Sequence, residues 1–257
     1  MAAPEPRLAN QPRLSRAAAL RELASMKEHH ARGTGGGRLR AAIFGINDGL
    51  VTNASLVVGV AAARTDDKGV VVLAGIAGLV AGAFSMAAGE FISMSVQREM
   101  FEAQIALERR ELIDDPEGER REVAVIFRAK GLPEEDAERI AEHVMAQPDV
   151  ALDLMAREEL GLNPDDLGSP WGAALSSFVA FATGAAIPLL PYIVTGGATA
   201  LLAALVLAGL VLVSVGGLTA RLSQRGVAFG ALRALVIGAV ATGVTYVVGH
   251  LVGVAVS

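Results

Sequence analysis

Five long apolar runs divide this chain, at about 41–63, 70–95, 172–194, 198–220 and 227–254. Each is near or above the ~20 residues that a helix needs to cross a bilayer core. Around them the pattern is polar. Residues 1–40 carry Pro4, Pro6 and Pro12, a stretch SRAAALRELASMKEHH that fits a short amphipathic helix, and a GTGGG joint at 33–37. Residues 98–166 form the second polar block, and the end of the second run passes into it without a breaker through QREMFEAQIALERRELI. That helix is expected to project out of the membrane. Asp115-Pro116 reads as an N-cap followed by proline at the first helical position. Further helices are expected from Pro133 and from Pro148 to Leu160, with Gly131 and Gly161 as stops.

The fold class is therefore an all-α membrane protein. Its five transmembrane helices carry a cytoplasmic helical domain between spans two and three. The divisions are a polar tail at 1–40, spans one and two at 41–97, the inserted domain at 98–168 and spans three to five at 169–257. Pro188 and Pro191 are expected to kink or break span three, which neighbouring helices can tolerate by bonding the freed carbonyls. Glycines recur at GxxxG spacing, including Gly78 and Gly82 in span two. Such spacing permits close backbone approach.

Composition agrees with this picture. Hydrophobic residues make up 53% of 257, aromatics only 4%, and mean hydropathy is +0.48. The absence of cysteine excludes disulfides and thiolate sites. No Ser/His or HExxH arrangement suggests an enzyme, and no nucleic-acid motif is present. Of the 27 acidic residues, 20 lie between Arg98 and Asp166 against 9 Lys/Arg, so the remainder of the chain is net positive. Arg38, Arg40, Arg98, Arg109, Arg110, Arg221 and Arg225 fall on one side if the spans alternate. That side is expected to be the cytoplasm, with the N-terminus there and the C-terminus opposite.

Candidate chemistry lies in two places. Span one holds Asp48, and span two ends with Met86 and Glu90, four apart on one helix face. Carboxylates at membrane depth are costly and ordinarily face a bundle interior or a water-filled path. In the acidic block, Glu108 and Glu111 are three apart, as are Glu119 and Glu122, on either side of the Asp115-Pro116 break. Met155 and Glu159 share a face of the last helix. Two readings are open. Converging carboxylates with a thioether suit Fe2+, Mn2+ or Zn2+. Alternatively, ERRE and REE runs are solvated faces laced by i,i+4 ion pairs. His29 and His30 are adjacent and do not share a face, and a solvated tail is their simpler reading.

INDGLVTNASLVVGV, GLVAGAFSMAAGEFISMSVQ and the two Glu-x-x-Glu pairs together resemble the vacuolar iron transporter family, over roughly residues 38–256. The resemblance implies a homodimer that moves Fe2+, and often Mn2+, out of the cytosol in exchange for protons. It implies Asp48, Met86 and Glu90 as the membrane metal site. Glu108, Glu111, Glu119, Glu122, Met155 and Glu159 become ligands of a cytoplasmic metal-binding domain, where Zn2+ or Co2+ would also bind. No permanently bound cofactor is implied. Ala156 stands where some relatives carry a second methionine, and forty leading residues are too few for the ferritin-like domain of some bacterial members. Ala/Gly/Arg-rich usage points to a bacterial inner membrane. The competing function is a membrane metal-binding regulator or storage protein without translocation.

Overall fold

The structure is a computed structural model that describes residues 36–63 and 67–256. The expected helix at 15–30, with His29 and His30, lies outside the described residues. All regular structure described is helical: α1 (Gly36–Ala63), α2 (Lys68–Asp114), α3 (Pro116–Ala129), α4 (Glu134–Met145), α5 (Pro148–Glu158), α6 (Pro170–Ala186), a 3-10 turn (Ile187–Leu189), α7 (Leu190–Val194), α8 (Gly197–Leu222) and α9 (Val227–Val256). Five segments are long and apolar enough to cross a membrane: Ala41–Ala63, the Lys68–Asp114 helix, Pro170–Val194, Gly197–Leu222 and Val227–Ala255. They coincide with the five apolar runs. The 47 residues of α2 extend about 70 Å, against a bilayer core of about 30 Å. More than half of that helix therefore stands outside the membrane.

Small residues set how closely the spans meet. A methyl group at Gly49 would overlap the Phe181 carbonyl, and one at Gly184 the Ile46 carbonyl, so spans one and three cross backbone to backbone. Gly249 lies equally close to Gly59, and Gly216 to Gly230, which joins span five to spans one and four. Three glycines of span two are filled from within the same chain. Gly75 receives Leu189, Gly78 receives Leu56 and Asn53, and Gly82 receives the Phe181 ring.

Span three breaks where its prolines require. The Ile187 N–H turns back to Gly184, Pro188 supplies no N–H, and a 3-10 turn follows. The Asn53 side-chain amide, from span one, donates to the carbonyl of Ala185 at 2.6 Å. A side chain thus satisfies a backbone acceptor at the break, inside the bundle where no water competes.

Outside the bundle, α3 and α5 pack on the projecting part of α2, and α4 packs on α3 and α5. The Asp115 carboxylate caps α3 by accepting from the Gly118 N–H at 2.9 Å. Gly131 and Gly161 end helices with φ of 95° and 65°, values that favour glycine. Val123, Ala124, Ala141 and Met155 form the small core of this region, with Ile126, Phe127 and Leu154 around them. Arg120 pairs with Glu138, Lys130 with Glu158 at 2.5 Å, and Arg157 with Asp165 at 2.8 Å. These bridges tie α3 to α4, α3 to α5, and α5 to the loop that leads back to span three.

Candidate functional site

The membrane group is built on α1 and α2. Leu56 and Asn53 meet Gly78, and Val57 meets Gly75, which sets an antiparallel register between the two helices. Continued by one helical rise per residue, it places Asp48 level with Ala83 and Met86 level with Gly45. Asp48 is half-buried and accepts from the Thr52 hydroxyl at 3.3 Å. It stands between Phe44 and Thr52, both exposed, on the outward face of span one. Met86 and Glu90 are half-buried on α2. No basic side chain among the described residues pairs with Asp48 or Glu90. Phe181 of span three, 2% exposed, connects their surroundings. Its backbone abuts Gly49, next to Asp48, its ring fills the notch at Gly82, and Met86 packs against the same cluster.

The second group is a carboxylate cluster where α3 and α5 return to α2. Glu108 is 3% exposed and Glu119 6%, and their carboxyl groups lie within reach of a shared proton. One oxygen of each, Oε1 of Glu108 and Oε2 of Glu119, is buried without a hydrogen-bond partner. Glu111, Glu122 and Glu159 are exposed around this pair. Burial, then the fields of Glu159 and Glu119, push Glu108 up to about 8. Burial also raises Glu119, and Glu159 is raised by burial and by Glu122 and Glu111. Repulsion from neighbouring carboxylates thus adds to burial at Glu108, Glu119 and Glu159. Met155 is fully buried in the apolar core, one turn from Glu159 on the same helix.

The carboxylates of the acidic helices fall into two sets. Glu102, Glu117, Asp136 and Asp153 pair with arginines three or four residues away, as a solvated face would. Glu108, Glu111, Glu119, Glu122 and Glu159 pair with no Lys or Arg among the described residues. Two buried carboxylates with orphaned oxygens and no counter-charge suit a hard or borderline divalent cation, which would supply the missing charge. In the conformation described, no three His, Asp or Glu side chains among the described residues already close around one point.

Sequence reasoning missed Phe181 and Asn53. The partner of Asn53 lies 132 residues away. The only local signals were the two glycines that Phe181 fills and an amide side chain inside an apolar run.

The profile of the VIT family matches residues 39–250. A vacuolar iron transporter of Acanthamoeba castellanii is 37% identical over 154 residues, 60% of this chain and 55% of that protein. Vacuolar iron transporter 1 of Arabidopsis thaliana is 31% identical over 173 residues, 66% of this chain and 69% of that protein. Vacuolar iron transporter homolog 1 of rice is 36% identical over 221 residues, 84% and 74% respectively. The Acanthamoeba match spans about half the length of that relative.

Proposed function

Because the chain belongs to the VIT family, we propose that it carries Fe2+, and also Mn2+, across a membrane by exchange with protons, outward from the cytosol. The relatives bear transporter names, and nothing in the site calls for an enzyme. The observation that carries this reading is the buried, uncompensated Glu108–Glu119 pair at the end of a helix that also holds Met86 and Glu90.

The carboxylates outside the membrane collect the ion, and their summed field raises its local concentration. Binding expels the proton that burial keeps on Glu108. The ion then passes to Asp48, Met86 and Glu90. A carboxylate in a low-dielectric site holds a proton or a cation but does not readily stay charged alone, which makes exchange the natural cycle. The Met86 thioether favours Fe2+ over Mg2+ and Ca2+. Met155 and Glu159 complete the collecting site, with Zn2+ or Co2+ as further occupants. The outward face of span one leaves Asp48 to be covered in a membrane, and a second copy in a homodimer would cover it. The arginine distribution supports a cytoplasmic N-terminus and inserted domain, in a bacterial inner membrane.

Proteoliposomes with and without a pH gradient test this. Gradient-driven Fe2+ flux in wild type, lost in Asp48→Ala with metal binding retained, is the expected result. Metal binding without any flux would instead identify a storage or regulatory protein. Flux indifferent to the gradient would identify a channel.

A further inference from the structure

Span five is clamped at two places. Gly230 meets the backbone of Gly216 in span four, and Gly249 meets that of Gly59 in span one. Between these clamps a groove of about 310 Å³ opens among spans one, four and five. Ala54, Val58, Ala208 and Leu212 form its buried floor, and Leu205, Leu235 and Tyr246 its exposed rim. No lining side chain is charged. The Thr242 hydroxyl on its wall is already engaged, with Ser55 Oγ at 3.3 Å. At the clamps a facing helix fills the space that glycine leaves, but in the groove nothing does. A methyl at Gly243 would meet no atom within 4 Å, and one at Gly209 only Leu235 at 3.7 Å.

Every lining residue belongs to a segment apolar enough to cross a membrane, which excludes water as the filler. An empty groove would forfeit packing contacts along each wall. Its shape selects the occupant. Spread over the ~16 Å from Leu235 to Tyr246, the volume averages a cross-section of ~20 Å², whereas a helix with its side chains is ~10 Å across. A single polymethylene chain fits this space, and a helix of a second copy does not. The groove is also distinct from the face that bears Asp48. Around span one, Val51, Ala54 and Val58 point about 100° away from Asp48 and Thr52. Amphipathic rings mark one end. Tyr246 stacks on His250, one turn on, with ring centroids 6.4 Å apart and both residues exposed. Gly253 packs on Ala63, the last residue of span one, so these rings stand near that end of the bundle, where acyl chain gives way to ester and headgroup.

We propose that this groove binds one acyl chain of a bilayer glycerophospholipid, which enters from the Tyr246 end. The chain completes the packing of span five between its two clamps. The site does not depend on the transport reading.

The full chain is purified in neutral detergent, and the lipid it retains is counted and identified by native mass spectrometry. After exhaustive detergent exchange it is heated with increasing dioleoylphosphatidylcholine. Wild type should retain one glycerophospholipid per chain, and the added lipid should raise the unfolding midpoint saturably. Glycerophosphocholine, the same headgroup without chains, should have no effect. Gly243→Leu places a side chain in the open space. It should retain no lipid, unfold at a higher midpoint than lipid-free wild type, and need at least about tenfold more lipid for half its response. Val240→Leu, on the exposed side of the same span and outside the groove, should behave as wild type. If Gly243→Leu fails to fold, Gly209→Leu fills the groove from span four. Wild type that neither retains lipid nor responds to it overturns the proposal, as does a lipid response unchanged by both leucine variants. A free fatty acid as the retained mass, or stabilisation by glycerophosphocholine equal to that by the lipid, overturns it too. So does a change of oligomeric state in lipid-free Gly243→Leu, because a second copy would then fill the groove.

Discussion

Glu108 makes the chain's pH dependence calculable. Burial and neighbouring carboxylates raise it from 4.5 to about 8, so between those values the folded protein holds a proton that the unfolded chain has released. A group raised in this way contributes stability that is fully present below pH 4.5 and is lost as pH climbs through about 8. At roughly 1.4 kcal/mol per pH unit, the metal-free protein should lose up to about 5 kcal/mol across that window. Sharing the proton with Glu119 lowers the net figure. A divalent cation reverses the trend by replacing the proton. Below pH 8 its apparent affinity should rise about tenfold per pH unit for each proton expelled, then level off. The assay is calorimetric titration of Mn2+ into the solubilised chain in two buffers of different ionisation enthalpy, which counts released protons, together with thermal unfolding from pH 5 to 9. Glu108→Gln, a neutral isostere, should flatten the stability profile and leave the metal-free protein more stable than wild type at pH 8. Metal-free stability that rises between pH 5 and 8, or metal binding that releases no proton at pH 6.5, would refute the burial argument.

Other outcomes follow from packing. Gly49→Ala and Gly249→Ala set a methyl against the backbone of a facing helix and should each cost about 2 kcal/mol or more, read as a lower unfolding midpoint. Gly89→Ala, which meets nothing within 4 Å, should be neutral or slightly stabilising. Asn53→Leu strands the Ala185 carbonyl at the break of span three and should cost about 1–3 kcal/mol. Phe181→Ala empties the junction between Gly49 and Gly82, at a cost of about 3–5 kcal/mol, and flux in that variant should become less dependent on the pH gradient.

The spans were legible because an apolar run of about twenty residues has one economical fate in lipid. The projecting α2 was legible for the converse reason: no glycine or proline interrupts helix-forming residues between Phe91 and Asp114. The burial of the carboxylates was not. Glu108 and Glu111 have the same spacing as Glu119 and Glu122, yet in each pair one member is buried and one exposed. Spacing sets the angle between two side chains on a helix, but not which of them the neighbouring helices cover. That depends on how α5 returns after Pro148, which is a tertiary fact. The glycines of span two had a similar limit. Their spacing marked a close approach but could not name Leu56, Phe181 and Leu189 as the groups that fill it.

The same unbroken helix links the two groups of candidate ligands. Glu90 and Glu108 are 18 residues apart on α2, about 27 Å along its axis. The glycine contacts at Gly75, Gly78 and Gly82 lie on the membrane side of both, and there Leu189, Leu56 and Phe181 key into the helix. Glu108 is about 39 Å from Gly82, so a tilt of ~5° there moves its carboxylate by ~3 Å. Were a cation to draw Glu119 and Glu159 onto Glu108, a rigid α2 would carry the displacement to its membrane half. No proline or glycine between Phe91 and Asp114 absorbs the strain. Phe181, in the notch at Gly82, is a contact that such a tilt would press on.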